Sequence, residues 1–358
     1  MITVSLCMIL KNEEDTIARC LDSVNNLVDE IIIVDTGSTD KTKEIVSQYT
    51  DQVLDFHWID DFAAARNFAF RNAKMDYIFW LDADDVLMEN DRIKFLTLKE
   101  TLNTTIDSVT MLYNLAIDEN GNVITSLRRN RLVKRENNFQ WFGAVHEYLE
   151  VWGNILNSEV AVTHCRIHHD TDRNLRIYKN RLKRGEQFSP RDLFYFANEL
   201  LEHKKFEEAI KYYKQFLETK NGWVEDNISA CGRLAECYDA IDNQEMGMHF
   251  LLKSFEYDSP RADFCCRIGY RFLHNNKPLQ ALFWYKLATQ LEKPTDNLGK
   301  INHACWTWLP HLQLCVCYSQ LGNHALAYEH NEIARKYFPD HPSILHNKRF
   351  LEPILQKT

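Results

Sequence analysis

The sequence has no stretch that approaches the ~20 consecutive apolar residues needed to span a bilayer. Its first residues, MITVSLCMILKNEE, contain an apolar run, but no basic segment precedes that run and no small-residue cleavage site follows it. This segment is therefore predicted to form a buried strand rather than a signal peptide. Together these absences predict a cytoplasmic protein without a membrane span.

The cysteine spacing typical of zinc sites is also missing. The chain has 10 cysteines but no Cys-x-x-Cys pair, and most of them lie within segments of apolar periodicity. We therefore interpret them as reduced, small core residues rather than as disulfides. An excess of positive charge is missing too, since 42 Lys and Arg against 51 Asp and Glu give a net charge of -9. This argues against a nucleic-acid partner.

At 358 residues the chain is longer than one typical domain and predicts two. The first ~85 residues alternate strand and helix signals as β-α-β-α-β-α-β, the pattern of a doubly wound α/β sheet. We expect strands over 2–10, 30–35, 53–56 and 77–81. Helices are expected over 12–26, from a Ser38 or Thr39 cap to 48, and over 62–73. An Asn120-Gly121 turn inside 108–135 predicts a hairpin that adds antiparallel strands.

From Pro190 onward the segments are helical in pattern, and they repeat. Four of them align on a small residue, namely Ala209, Gly247, Ala281, and Ala325 or Ala327. Gly247 and Ala281 are 34 residues apart (281 − 247), the period of tetratricopeptide-like helix pairs. A plain helical bundle is the alternative. We predict an α/β domain over 1–188 and a tetratricopeptide-like repeat domain over 189–358, whose concave surface would hold a protein or form a homodimer.

Acidic residues follow three of the predicted strands, at the edge where a doubly wound sheet gathers its ligand site. They are Asp35 in VDTGSTD (34–40), Asp60 and Asp61 before a helix, and Asp82, Asp84 and Asp85 in WLDADD (80–85). In an extended chain Asp82 and Asp84 point the same way, so their carboxylates repel unless a cation joins them. Mg²⁺ or Mn²⁺ takes such ligands and fills other positions with phosphate oxygens, which suits a nucleoside diphosphate. An acidic turn that caps the next helix is the alternative.

Two further positions have two interpretations each. Asp35 at its strand end can accept the imide N–H of uracil. Alternatively, it has only a structural role in the turn that joins a strand to the next helix. Arg66 and Asn67 are polar residues on a helix otherwise rich in Ala and Phe. They either serve the site or form a structural ion pair with Asp60 or Asp61.

Four motifs in combination strongly resemble family 2 glycosyltransferases of the GT-A fold. They are LCMILKNEE (6–14), EIIIVDTGSTDKT (30–42), FAAARN (62–67) and WLDADDVL (80–87). The resemblance covers the first ~190 residues, about one domain. The helical tail resembles the tetratricopeptide extension of some bacterial members, including the peptide S-glycosyltransferases that modify bacteriocins. The resemblance implies an inverting displacement that uses a UDP-linked or other nucleotide sugar and a divalent metal, Mg²⁺ or Mn²⁺.

The resemblance also implies roles for single positions. Asp35 matches the acid that recognises the base, and Arg66 matches the helix arginine near the nucleotide. Asp82 matches the first carboxylate of the Asp-x-Asp motif, near ribose and metal, and Asp84 matches the metal ligand. Asp85 is an additional acid that is a candidate for sharing the metal role. The other nucleotide-sugar positions are Leu10, Lys11 and Glu13 in the loop after the first strand, and Ala83 within the motif.

The candidate catalytic residues lie in FGAVHEYLEVWG (142–153). In this family a carboxylate downstream of the Asp-x-Asp motif acts as general base on the acceptor. Glu147, next to His146, is the candidate here. A solvated strand residue is the alternative for Glu147.

Histidines follow in VAVTHCRIHHD (160–170). Family members carry a histidine near this place that completes the metal shell, and His164 is the first choice, with His168 second. A histidine–zinc site is the alternative, although the surrounding carboxylates favour a hard cation. Arg173, with Arg176 and Lys179, either neutralises the diphosphate or belongs to a solvated basic face.

The sequence therefore predicts a metal-dependent enzyme that moves a sugar from a nucleotide sugar to a Cys or Ser side chain of a peptide or protein. Two alternatives stay open. One is a glycosyltransferase with a glycan or lipid-linked acceptor, and the other is a non-catalytic scaffold that only binds nucleotide. A nucleotidyltransferase would carry a Gly-rich, basic loop after its first strand, where this chain has KNEE (11–14).

Overall fold

A computed structural model describes residues 1–118, 121–165, 172–294 and 299–356. The chain forms two compact units: Met1–Phe188 makes up one, and most of the chain from Ser189 makes up the other. Within the described ranges, no helix is long and apolar enough to cross a membrane. All 10 cysteines are free thiols, and all but Cys165 are buried.

The first unit is built on a mixed β-sheet. Its strands are β1 (Val4–Leu10), β2 (Glu30–Asp35), β3 (Val53–Asp55), β4 (Tyr77–Trp80), β5 (Asp85–Val86), β6 (Ser108–Ile117), β7 (Val123–Lys134) and β10 (Ile155–His164), with a separate small hairpin of β8 (Gln140–Phe142) and β9 (Tyr148–Glu150). The strand order is β3-β2-β1-β4-β7-β6-β10-β5. The first four strands in that order are parallel, and β7 runs antiparallel to both β4 and β6. The predicted α/β sheet with added antiparallel strands is confirmed; residues 119–120 of the predicted turn lie outside the described ranges.

Helices cover both faces of this sheet. They are α1 (Ile17–Val24), α2 (Thr42–Val46), α3 (Phe62–Asn72), α4 (Glu89–Thr101) and α5 (Asp172–Lys183). Alternation along β1 explains the two cores, because neighbouring side chains of a strand point to opposite faces. Leu6 and Met8 pack with α1 and α4 in one core, whereas Cys7 packs with α3 in the other.

Two predicted helix starts are wrong. The first helix begins at Ile17 rather than at residue 12, because Asn12 adopts φ 56 and the Thr16 N–H bonds back to Glu13 O at 3.1 Å in a turn. The second begins at Thr42, and neither Ser38 nor Thr39 caps it. Ser38 Oγ instead accepts the Asn12 N–H at 2.9 Å, so this hydroxyl links the loops after β1 and β2.

The second unit is a series of helix pairs. Its helices are α6 (Pro190–Glu202), α7 (Phe206–Glu218), α8 (Val224–Ala240), α9 (Gln244–Lys253), α10 (Ala262–His274), α11 (Pro278–Gln290), α12 (Trp308–Gln320), α13 (His324–Tyr337) and α14 (Pro342–Leu355). The aligned small residues Ala209, Gly247, Ala281 and Ala327 are all buried, whereas Ala325 is exposed. Each is on the second helix of its pair, where a larger side chain would push the pair apart. The predicted helical-repeat fold is confirmed.

Candidate active site

Side chains from the ends of β1, β2 and β4 meet at one edge of the sheet. Leu10 pairs with Asp35 in the parallel register, so the loops after β1 and β2 lie side by side. Glu13 of the first loop is close enough to Asp82 and Asp84 that their charges act on it. Burial and these carboxylates raise the pKa of Glu13. The predicted gathering of acids at the carboxyl ends of the strands is therefore present.

The Asp-x-Asp segment itself is a turn, not an extended strand. Asp85 N–H donates to Asp82 C=O at 3.1 Å, and the Asp82 N–H donates to Asp85 Oδ2, also at 3.1 Å. The expectation that Asp82 and Asp84 point the same way because the chain is extended was wrong. The turn instead directs the acids to different partners.

Arg66 is the partner of Asp82. Its Nη2 donates to Asp82 Oδ1 at 2.6 Å, and its Nε donates to Glu147 Oε1, also at 2.6 Å. The guanidinium carbon lies 4.9 Å from the ring of Trp80 and 4.8 Å from that of Trp141, and the residue is 7% exposed. Arg66 thus joins the Asp-x-Asp motif to the candidate base through a charged fork held by two indoles. The charge of Arg66, working against burial, keeps the pKa of Asp82 well below its usual range.

The alternative ion pair of Arg66 with Asp60 or Asp61 does not form. Asp61 caps α3 by accepting the Ala64 N–H at 2.9 Å, and Asp60 accepts the Trp58 indole N–H at 3.0 Å. Asn67 exchanges two hydrogen bonds with the Trp141 backbone at 2.8 and 2.9 Å. This helix therefore positions both Arg66 and the β8 hairpin.

Asp84, Asp85 and His164 form a candidate metal site. One ligand atom from each lies within 4.8 Å of the others, and this is the one such group of three among the residues that the structure describes. His164 Nδ1 is 3.4 Å from both Asp84 Oδ1 and Asp85 Oδ1. Burial alone would lower the pKa of His164, but the two carboxylates outweigh it and raise the pKa to about 9. Tyr113 Oη lies 2.9 Å from the same Nδ1 and orients the ring.

These residues fit a hard divalent cation. Two carboxylates and one imidazole are ligands that Mg²⁺ and Mn²⁺ accept, and Asp85 Oδ1 is a buried oxygen without a hydrogen-bond partner. Asp82 is the predicted metal ligand that the turn places apart from this group. Asp85 is the second carboxylate of the candidate group instead. His168, the second-choice histidine, lies outside the described residues.

Arg131 is a site residue that the motifs did not single out. It is fully buried, and its Nη2 lies 3.0 Å from Asp85 Oδ2 while its Nη1 donates to Trp80 C=O at 3.2 Å. Its guanidinium carbon lies 3.9 Å from the Trp80 ring. Arg131 therefore neutralises the innermost acid of the motif. The signal for it in the sequence was an arginine in a strand, LRRNRLVK, whose neighbours Leu132 and Val133 are core residues.

Asp35 is 1% exposed and uses one oxygen to fold its own loop. Its Oδ2 accepts the N–H groups of Gly37 and Ser38 at 3.0 Å each, with Lys43 Nζ at 3.4 Å. These contacts overcome burial and lower the pKa of Asp35, so it is a carboxylate at neutral pH. Oδ1 is buried without a partner. Asp35 therefore stabilises its turn through Oδ2 and still has Oδ1 as an acceptor without a partner.

The other predicted nucleotide-side positions surround these acids. Leu10 is 2% exposed in the core, and its carbonyl accepts both the N–H and the hydroxyl of Thr36 at 2.9 Å. Lys11 is exposed, and Ala83 is 5% exposed within the turn. Arg173 is the second residue of α5, and its guanidinium carbon lies 4.7 Å from the Phe62 ring. Its charge also acts on Glu13, so α5 contributes to the same edge.

Glu147 and His146 lie in an irregular loop between β8 and β9. His146 adopts φ 51 and Gly143 φ 98, and Phe62 N–H anchors the loop by donating to Ala144 C=O at 2.9 Å. The side chain of Glu147 is 12% exposed. Glu147 is therefore not the solvated strand residue that was the alternative.

The fold and these motifs agree with a known family. Residues 5–152 match the family described as Glycosyl transferase family 2. The matched range lies within the first unit and contains the four motifs that carried the predicted resemblance to this family.

Two relatives and one solved structure are similar to parts of the chain. A TPR repeat-containing protein of Synechococcus elongatus is 48% identical over 88 residues, which are 25% of this chain and 22% of that protein. The glycosyltransferase SunS of Bacillus phage SPbeta is 29% identical over 229 residues, 60% of this chain and 53% of SunS. The C-terminal part of a TPR repeat-containing protein from Cytophaga hutchinsonii matches at 12% identity and TM-score 0.43, over 52% of this chain and 67% of that one. The chain thus spans about half of SunS and about a fifth of the Synechococcus protein.

Proposed function

We propose that this chain is an inverting, metal-dependent glycosyltransferase. It moves a sugar from a nucleotide sugar, with UDP as the carrier, to a Cys or Ser side chain of a peptide or protein. The observation that carries the proposal is the Arg66 fork, which links the Asp-x-Asp acid Asp82 to Glu147 next to the Asp84, Asp85 and His164 group. This link supports a single site that would both bind the donor and activate the acceptor.

Asp84, Asp85 and His164 would hold the divalent cation. When bound, this ion supplies positive charge that stabilises the charge developing on the leaving diphosphate. Arg173 is the candidate among the chain's own cations for the same diphosphate, because it lies at the start of α5 on this edge of the sheet.

Asp35 is the proposed recognition residue for the base. Its partnerless Oδ1 is an acceptor, and the imide N–H of uracil is a donor that would remove the cost of a buried, unsatisfied carboxylate oxygen. Cytosine has no such N–H at the equivalent ring position, and the proposal therefore favours a uridine carrier.

Glu147 is the proposed general base. It takes the proton from the acceptor hydroxyl or thiol, and the nucleophile then attacks the anomeric carbon from the face opposite the leaving diphosphate. Arg66 fixes the orientation of the carboxylate through Oε1. A thiol acceptor suits an ordinary carboxylate base, because a thiol with a pKa of about 8.5 is far more acidic than a hydroxyl.

The repeat unit supports a polypeptide acceptor over a glycan or lipid-linked one. Stacked helix pairs form extended surfaces that bind polypeptides, and such a unit adds nothing to the chemistry of the first domain. The SunS relative is named a glycosyltransferase, in agreement with the proposed reaction class.

Release of free nucleotide is the test of the proposal. The full chain is incubated with UDP-glucose, and with a panel of other nucleotide sugars, in the presence and absence of Mn²⁺ or Mg²⁺. We expect metal-dependent release of UDP that Asp84→Asn abolishes and that Asp51→Asn, an exposed aspartate elsewhere in the first unit, leaves unchanged. No release and no binding with any nucleotide sugar would contradict the proposal.

A further inference from the structure

Three arginines of strand β7 differ in whether an acid neutralises them. Arg128 Nη2 lies 3.2 Å from Glu159 Oε1, and Arg131 Nη2 lies 3.0 Å from Asp85 Oδ2. The side chain of Arg129 has no hydrogen bond or ion pair with any residue that the structure describes. A cation that is partly removed from water is unfavourable unless an anion compensates its charge. Arg129 is therefore suited to a ligand that brings an anion.

Arg129 lies beside the candidate metal site. Its guanidinium carbon is 5.6 Å from the ring of Tyr113, and that of Arg131 is 4.5 Å from the same ring. Tyr113 Oη in turn lies 2.9 Å from His164 Nδ1. The Nε of Arg129 is buried, whereas the residue as a whole is half-buried. The ring of Tyr113 thus connects this guanidinium to the group that would hold the cation.

The sheet also brings Arg129 toward the Asp-x-Asp turn. Strands β4 and β7 pair antiparallel, with Phe79 opposite Leu132. Beyond that pair, the chain after β4 continues to Asp82 while β7 extends back to Arg129, so both reach the same edge of the sheet. Burial would raise the pKa of Asp82, but the charge of Arg66 lowers it, and the charge of Arg129 contributes to the lowering. The charge of Arg129 therefore acts on the motif.

The acids of the site are already compensated without Arg129. Asp82 and Glu147 are each bonded to Arg66 at 2.6 Å, and the innermost acid of the motif has its own arginine. The pyrophosphate of a nucleotide sugar is an anion, and a planar guanidinium binds phosphate oxygens through paired hydrogen bonds. A donor that enters this site would supply the negative charge that Arg129 lacks.

We propose that Arg129 binds the pyrophosphate of the nucleotide-sugar donor and stabilises the diphosphate as it leaves. The inference rests on the proposed function and deepens it, because it adds a cation from the sheet to Arg173 from α5. As the acceptor atom bonds to the anomeric carbon, the bond from that carbon to the phosphate oxygen breaks. Its electron pair stays on the leaving oxygen, and the acceptor proton goes to Glu147. Arg129 faces an anion whose charge increases in this step, so it lowers the barrier as well as holding the donor.

The test measures the affinity of the full chain for UDP and for uridine in the presence of Mg²⁺. Arg129→Met removes the charge and keeps an apolar side chain against the Tyr113 ring. We expect this variant to bind UDP at least ten-fold more weakly by calorimetry, and to bind uridine as the parent does by ligand-observed NMR. The matched control is Arg135→Met, because Arg135 is an exposed arginine directly after the same strand. The control should bind both ligands with the parent's affinity.

Two further measurements keep the test decisive. Melting temperatures show whether each variant is folded, and Arg129→Lys is the second variant if Arg129→Met proves unstable. A single ammonium keeps the charge but loses the paired hydrogen bonds, so we expect a loss of UDP affinity of about three-fold with unchanged uridine affinity. UDP release from UDP-glucose on the same preparations should show a kcat at least ten-fold lower in Arg129→Met than in the control.

Several outcomes would overturn the assignment of Arg129. Equal losses of UDP and uridine affinity would show a structural role. Unchanged UDP affinity with weaker binding of UDP-glucuronate, titrated alongside, would place Arg129 on the sugar rather than on the pyrophosphate. Metal-dependent UDP release by the parent, with parent-like UDP affinity in Arg129→Met, overturns this inference alone. Arg129-dependent UDP binding without any sugar transfer overturns the proposed function alone, and no binding of any nucleoside diphosphate overturns both.

Discussion

Replacing Arg66 with alanine removes a cation that contacts both Asp82 and Glu147. Breaking a buried ion pair by deleting one partner costs about 3–5 kcal/mol, because the remaining charge is left buried and unpaired. Here the side chain of Glu147 is 12% exposed, but that of Asp82 is 36% exposed. Water can therefore solvate the unpaired Asp82 carboxylate and offset part of the lost stability. We expect the free energy of unfolding to fall by an amount near the lower limit of that range, about 3 kcal/mol. Lost contact with Trp80 and Trp141 contributes to the same figure.

A loss of about 3 kcal/mol in a unit of this size lowers the melting temperature by roughly 6–12 °C. Calorimetry or circular dichroism measures this, with Arg71→Ala as control because Arg71 is an exposed arginine of the same helix α3. Arg66→Lys restores the charge, but a single ammonium does not reproduce the planar fork, so we expect partial recovery of stability and a loss of turnover of at least 100-fold. Unchanged melting temperature and turnover in both variants would refute the assignment of Arg66 as the link between the two acids.

Three other outcomes are expected. Asp84→Asn should weaken Mn²⁺ binding, measured by electron paramagnetic resonance, at least ten-fold, and equal affinity would remove it from the metal site. Glu147→Gln should lower kcat by 10²–10⁴ while donor affinity by calorimetry is retained, and full turnover would reject it as base. Burial raises the pKa of Asp226 in α8 to about 6. Because this carboxyl is harder to ionise when folded, its contribution to stability is greatest below pH ~4 and declines as the pH rises to about 6. Asp226→Asn should therefore raise the melting temperature at pH 7.5, by the equivalent of about 1–3 kcal/mol, and not at pH 4; a similar gain at both values would contradict the assignment.

Much of the fold was predictable because it depends on short-range patterns. Runs such as EIIIVD place β-branched residues in β2, and the acids at their ends mark the edge where the strands stop. The helix pairs were predictable from small residues that recur in the helical segments, two of which, Gly247 and Ala281, are 34 residues apart (281 − 247). These signals need no knowledge of distant contacts.

The site was less predictable because its contacts join distant parts of the chain. Arg66 and Glu147 are 81 residues apart, and the candidate metal residues combine the turn at Asp84 with the last residue of β10. The turn at 82–85 depends on hydrogen bonds between its own acids, whereas the sequence analysis treated Asp82 and Asp84 as part of an extended chain. No sequence motif marks Arg131, because its role depends on its contact with Asp85, which exists only once the sheet is formed.

The full burial of the Asp85–Arg131 pair has a consequence for how a cation would reside on this protein. With one of its two acids neutralised, the Asp84, Asp85 and His164 group offers a dication little net negative charge. The pyrophosphate of the donor would bring the charge that is missing, so ion and nucleotide should load together and depart together. Such an enzyme would carry an exchangeable ion, renewed in each catalytic cycle, rather than a resident one.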